Sequence, residues 1–259
     1  MILAADNLQT MNPRVAEAVK ALDPGPIQDI ARRAERAGAD LLDLNPGYLP
    51  PGREDRMAFM VEAVEEVSSL RLILDSPQSG VLARGLAAAR RTPILNAVSL
   101  EEHKLKDILP LAAEHGTDLV LLLMDERSFT PPGLDEKLAL ALELRERALE
   151  AGLSQERLIF DPVLPSLSWP DAWFRVAEAV RTIRLLASGA VFQDSVRTMA
   201  GLSNLRSGQR RIYPARLEET CLALLAGAGL DCALVDLLRP GAADAAREIN
   251  GMLRTADGM

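Results

Sequence analysis

The chain has 259 residues, 48 % of them hydrophobic and only 3 % aromatic, and 37 acidic against 29 basic side chains leave a formal charge of −8. That length suits one α/β barrel with a large aliphatic core. The acidic balance argues against a nucleic-acid partner, and no apolar run reaches the ~18 residues that span a membrane.

Ile2–Ala5 reads as a first strand, followed by Asp6-Asn-Leu-Gln9. A helical pattern covers Pro13–Ala21, Asp23-Pro-Gly-Pro26 breaks it, and a second helical piece runs over Ile27–Ala37. Strand two is Leu41–Asn45 and helix two Arg53–Val67. Strand three is Arg71–Asp75, a short Leu/Ile run of the kind buried on both faces, and Ser76-Pro77 stops it. Helix three follows over Gly80–Arg90, then strand four, Pro93–Asn96. Helix four is Leu100–His115, with Ser99 and Glu102 spaced as a capping box. Strand five is Leu119–Met124, helix five Leu134–Ala151, strand six Arg157–Asp161, helix six Pro170–Leu186 and strand seven Val196–Leu202. Helix seven, Ala215–Ala228, leads to strand eight, Cys232–Asp236, and Ala242–Leu253 closes the chain.

Three junctions echo one another: Ala37-Gly38-Ala39-Asp40, His115-Gly116-Thr117-Asp118 and Ala228-Gly229-Leu230-Asp231. In each, a helix ends on Gly and a strand begins just after an Asp. Eight strand–helix units in this length predict an α/β fold of the (β/α)8 TIM-barrel type. No G-x-G-x-x-G follows the first strand, which disfavours a dinucleotide-binding open sheet. One domain, 1–259, is expected. The start, Met1-Ile-Leu-Ala-Ala, has neither a basic segment nor a long apolar one, so no signal peptide is expected. Cys221 and Cys232 lie in apolar segments without metal-type spacing, which predicts free buried thiols in a reducing cytoplasm. His103 and His115 have no ligating neighbours, so no zinc or other bound metal is expected.

Polar residues gather at the carboxyl ends of the predicted strands. Strand two ends in Asp43 and Asn45, strand three in Asp75, strand four in Asn96 and strand six in Asp161. Ser203-Asn204 follows strand seven, and strand eight ends in Asp236. In a barrel these ends share one mouth. The set is carboxylate and amide, with no Cys, His or Lys for covalent catalysis. It suits a flat heterocycle rich in N–H donors, because carboxylates accept paired N–H groups and Asn offers one donor and one acceptor side by side.

The strings Leu42-Asp-Leu-Asn45-Pro-Gly47, Leu74-Asp75-Ser76, Ile94-Leu-Asn96, Ala113-Glu-His-Gly116, Phe160-Asp161-Pro162 and Gly201-Leu-Ser-Asn204 resemble the pterin-binding barrel family. The likeness is greatest to methyltetrahydrofolate:corrinoid protein methyltransferases. The resemblance implies that Asp75, Asn96 and Asp161 bind the pterin ring, with Gly201 and Ser203 beside it, and that Asn204 is the catalytic contact to the reacting nitrogen N5. It implies methyltetrahydrofolate or tetrahydrofolate as substrate, a cobalamin or other corrinoid carried by a partner protein, and a homodimer. Asp43, Asn45, Arg206, Arg210 and Arg211 are candidate contacts for the folate tail or the partner. Two departures stand out. Asp6-Asn-Leu-Gln9 replaces the family's Glu-Arg-Ile-Asn, and the loop Leu205–Pro214, with Arg216 just beyond it, is unusually basic. The alternatives are a dihydropteroate synthase, which should carry a lysine near the end of strand seven where this chain has none, and a binding module without turnover.

Overall fold

A computed structural model describes residues 1–208 and 214–257. The strands are β1 (Ile2–Gln9), β2 (Leu41–Asn45), β3 (Arg71–Asp75), β4 (Ile94–Val98), β5 (Asp118–Leu122), β6 (Leu158–Asp161), β7 (Arg197–Gly201) and β8 (Cys232–Val235). They close in that order into one parallel barrel, β8 pairing back onto β1. Around it lie α1 (Pro13–Ala21), α2 (Pro24–Ala37), α3 (Asp55–Glu65), α4 (Ser79–Ala88), α5 (Glu102–His115), α6 (Leu134–Glu150), α7 (Ala172–Ala187), α8 (Ala215–Gly227) and α9 (Ala242–Asp257). The predicted (β/α)8 TIM barrel is the fold observed.

The repeated helix–Gly–x–Asp junction ties the amino-terminal rim. Gly38 ends α2 in the left-handed region (φ 96°), which costs glycine no steric strain. Asp40 then accepts the Leu3 N–H (2.8 Å), and Asp231 accepts that of Thr198 (2.8 Å). Asp118 instead receives Arg71 (2.8 Å) and Arg197 (3.2 Å). Each acid thus anchors the start of a strand other than its own.

Side chains alternate inward and outward along each strand, and this builds two cores. Outward residues such as Leu72, Leu74, Leu95 and Phe160 pack under the helices. Inward residues, among them Ala4, Leu41, Ile73, Ile94, Ile159 and Met199, form an apolar plug inside the barrel. The next inward position on β3 is Asp75 and on β6 is Asp161, so the polar layer rests directly on the plug. Two strands are irregular just there. The register shifts between Ala5 and Leu8 in β1 and between Leu95 and Val98 in β4. Such shifts re-aim side chains, and here they contain Asp6 and Asn96.

Some local expectations are corrected. β1 runs on to Gln9 and does not stop at Ala5. Helix α2 begins at Pro24, because Asp23 caps it through the Gly25 N–H (3.0 Å) and Pro24 suits the first turn. The capping box at Ser99 and Glu102 does not form: the Ser99 hydroxyl donates to Glu101 instead (2.7 Å). Both cysteines are free and buried. Helices α3 and α4 approach closely at Gly85, where an added Cβ would meet Met57 Cγ at 2.6 Å and Leu74 Cδ1 at 2.7 Å. Gly85→Ala should therefore destabilise the chain by about 1–2 kcal/mol, since overpacking outweighs the better helix propensity. Chemical denaturation measures it; a stabilised variant would show that the contact gives way.

Candidate functional site

A cavity of about 670 Å³ opens at the carboxyl end of the barrel. Asp43 and Asn45 enter it from β2, Asp75 from β3, Asn96 from β4 and Asp161 from β6. Gly201, Ser203, Asn204 and Arg206 line it from the end of β7 and the 3-10 turn Leu202–Arg206. The sequence-predicted side chains are thus brought together, except for three. Asp236 lies in a neighbouring cleft, where it accepts from Asn7 Nδ2 (2.6 Å) and from the N–H groups of Leu238 and Arg239. It caps a turn and does not join the cavity. Arg210 and Arg211 lie outside the described residues.

The contacts sort these residues. Asn45 donates from Nδ2 to Asp75 (2.8 Å) while its Oδ1 accepts the Gly47 N–H (2.8 Å), so it orients Asp75 from behind. Asp161 accepts the Val163 N–H through Oδ1 (2.7 Å), in the turn that leaves β6. The Asn96 side chain stands near enough to the Asp43 carboxyl to lower its pKa, against the larger effect of burial. Arg206 is already paired with Glu218 (3.0 Å).

Among the lining residues that escape the strand-end rule are Asp6, Gln9 and Lys104. Asp6 and Gln9 come from the extra length of β1, and Lys104 reaches in from the first turn of α5. The signal for Asp6 was present: two positions past the inward Ala4, it continues the alternation. Lys104 had none, because nothing local in the pattern of α5 marks which side chain turns into the mouth. It pairs with Glu101 and receives support from the Ser99 hydroxyl (3.2 Å).

Burial dominates the electrostatics. It pushes the carboxyls of Asp6 and Asp161 up to about 7 and that of Asp75 to about 6, and it raises Asp43 well above the usual carboxylate range. Compensation is partial. Ser203 and Arg206 moderate Asp6; the Val163 N–H and Lys137 moderate Asp161; Asn45 and Lys104 moderate Asp75. Both oxygens of Asp6 and Oδ1 of Asp43 are buried without a hydrogen-bond partner. The Ser203 hydroxyl stands near enough to Asp6 to lower its pKa but not in bonding geometry. Such orphan acceptors call for a ligand with several N–H donors, and the volume accommodates a bicyclic ring. Among the described residues, no group of three ligating side chains is placed to hold a metal, and no helix is long and apolar enough to cross a membrane.

These shifts make a stability prediction. An acid whose pKa is raised by folding binds its proton more tightly folded than unfolded. The contribution of Asp6, Asp75 and Asp161 is therefore lost as pH climbs from about 4, the ordinary carboxylate value, to about 7. Glu101 acts oppositely: against the penalty of burial, Lys104, Ser128 and Ser99 hold it to about 2, so its contribution is lost only in acid. The ligand-free protein should thus lose stability between about pH 5 and pH 7. Thermal melting across that range checks it, and a level or rising midpoint contradicts it.

Comparison with known proteins agrees with the chemistry of the cavity. Residues 10–236 match the family model of pterin binding enzymes. The chain is 27 % identical over 241 residues, covering 91 % of itself and 85 % of the relative, to the methylcorrinoid:tetrahydrofolate methyltransferase of Eubacterium limosum. It is 28 % identical over 229 residues to methionine synthase of Mycobacterium leprae, matching 85 % of itself but 18 % of that protein. Among solved structures, it covers 100 % of itself and 94 % of a Yersinia pestis dihydropteroate synthase with a pterine-sulfa conjugate, at a TM-score of 0.69 and 19 % identity. The dihydropteroate synthase of Xanthomonas albilineans in complex with 7,8-dihydropteroate gives a TM-score of 0.69 at 18 % identity, over 100 % of this chain and 94 % of that one. At such identities the likeness to these structures is one of fold.

Proposed function

The chain belongs to the pterin-binding enzymes, and we propose that it moves the N5-methyl group between methyltetrahydrofolate and the cobalt of a corrinoid carried by a partner protein. The observation that carries this is the layer of buried carboxylates and amides in one cavity, with acceptors left unpaired. Asp75 and Asp161 accept N–H groups of the amino-pyrimidine edge, as charge-assisted bonds. Asn96 supplies a donor and an acceptor to the same ring. Asn45 holds Asp75 in place, and Asp43 stands beside Asn96. Asn204 contacts N5, with Gly201 and Ser203 beside it.

Reduced cobalt is itself a strong nucleophile, so the protein's tasks are binding, orientation and help to the leaving nitrogen. The near full-length likeness to a methylcorrinoid:tetrahydrofolate methyltransferase supports this chemistry. The dihydropteroate synthase alternative is disfavoured at Gly201-Leu-Ser-Asn204, where its lysine is missing. In this reading the whole chain acts as one domain in the cytoplasm. It pairs as a homodimer, for which the apolar cleft between α7 and α8, with Trp173 and Leu224 exposed, offers a surface. Arg206, Arg210 and Arg211 are the side chains assigned to the folate tail or the partner.

Incubation with methyltetrahydrofolate and cob(I)alamin tests the proposal, and methylcobalamin is the expected product. A synthase would instead join 4-aminobenzoate to a dihydropterin diphosphate, and a binding module would do neither. Asp75→Ala and Asp161→Ala should each weaken pterin binding by about 2–4 kcal/mol while remaining folded. Equilibrium titration decides this; unchanged affinity in both removes the ring pocket. Asn204→Ala should slow transfer on saturated enzyme by about 10²–10³, the scale for one preorganised contact at a reacting atom. A loss of affinity with the saturated rate intact would reduce Asn204 to a ring contact.

A further inference from the structure

A methyl group leaves a tertiary amine only if the nitrogen carries a proton, because the alternative leaving group is an amide anion. A neutral carboxamide such as Asn204 is not an acid that can supply it. Asp6 is the lining carboxyl to which the ring contacts proposed above give no individual role. It sits in the bulge of β1, 3 % exposed, on the cavity wall, with both oxygens unpaired. Its neighbour is Ser203, which precedes Asn204 in the same 3-10 turn. The orphan acid and the side chain proposed to contact N5 therefore share one corner of the cavity.

The charges facing Asp6 come from every side. Asp43 approaches from β2, Glu218 from α8, Asp236 from the turn after β8 and Arg206 from the turn after β7. Three acids thus stand against one base, and Glu218 already engages that base. Burial adds to this, and the carboxyl is brought to about 7, where it holds a proton at neutral pH and can still release it. A general acid works best with its pKa near the working pH.

On the premise of the methyl transfer proposed above, we propose that Asp6 is the acid that protonates N5 of methyltetrahydrofolate. The N5 lone pair takes the Asp6 proton, leaving a carboxylate and an N5 ammonium. The electron pair of the reduced corrinoid cobalt forms the Co–C bond as the C–N5 bond breaks. The C–N5 pair stays on nitrogen, which leaves as the secondary amine of tetrahydrofolate. Cobalt passes formally from +1 to +3, and the Asp6 carboxylate regains its proton from solvent. In the reverse direction the carboxylate receives the N5 proton as nitrogen attacks the methyl group.

The test is single-turnover transfer from methyltetrahydrofolate to cob(I)alamin over about pH 5.5–8.5, with pterin affinity and melting measured on the same samples. The wild-type rate should fall as pH rises through about 7. Asp6→Asn, nearly isosteric, should be about 10²-fold slower at neutral pH. Its deficit should narrow in acid, where solvent protonates N5, and the loss of rate on saturated enzyme should far exceed any loss of pterin affinity. Asp6→Glu keeps an acid and should retain most of the rate with the falling limb displaced. An Asp6→Asn profile superimposed on that of an active wild type overturns the donor role alone. So does a deficit that tracks lost affinity, or an Asp6→Glu variant as slow as Asp6→Asn. A wild type that binds the pterin and forms no methylcobalamin overturns the methyl-transfer reading, and the donor with it.

Discussion

Carboxylates held out of water, on top of an apolar plug and with too few donors, are the constraint on which the upper half of this barrel depends. Strand alternation puts them there. Once Ile73 and Ile159 fill the plug, the next inward positions are Asp75 and Asp161. Burying a carboxyl without enough partners costs folding free energy, and the group protonates to limit that cost. A ligand with several N–H groups supplies what the protein withholds. In the proposed reading, affinity is thus gained by leaving the free protein electrostatically dissatisfied.

The lower rim shows the opposite arrangement with the same residue type. Asp40 and Asp231 receive backbone N–H groups, and Asp118 receives arginines. Against the penalty of burial, Arg197 and Arg71 hold Asp118 below the usual carboxylate range. Those acids pin strand starts and serve stability; in the proposed reading the acids of the mouth serve binding. In barrels of this type the two ends divide in this way.

Within the mouth, environment separates one chemical group into several behaviours. Asp75 has Asn45 and Lys104 near it and stays the more acidic. Asp161 is supported by the Val163 N–H and by Lys137, whose buried Nζ donates to the Pro162 carbonyl (2.6 Å). Asp6 has neither a bonded donor nor an uncommitted cation. Carboxyls whose surroundings push them apart can take different tasks, accepting hydrogen bonds in one place and giving up a proton in another.

The sequence by itself determined the alternation of strand and helix, and with it the barrel and most of the mouth. Short aliphatic strands buried on both faces have few other homes, and the Gly–x–Asp junctions mark where helices stop. Asp43, Asp75, Asn96 and Asp161 were legible because each lies at or near the end of such a strand, where period two and strand polarity settle its direction. The tertiary structure alone decided the rest. The bulge in β1 between Ala5 and Leu8 forms only against its neighbour β2, and past it Leu8 packs under the helices. Lys104 enters from a helix whose tilt no local pattern encodes, and Asp236 turns aside because Asn7, 229 residues away, holds it. Arg206 looked free in a basic loop, yet Glu218 claims it. Local periodicity sets which way a strand residue points, but a side chain's partner, and so its charge state, depends on contacts between residues distant in the chain.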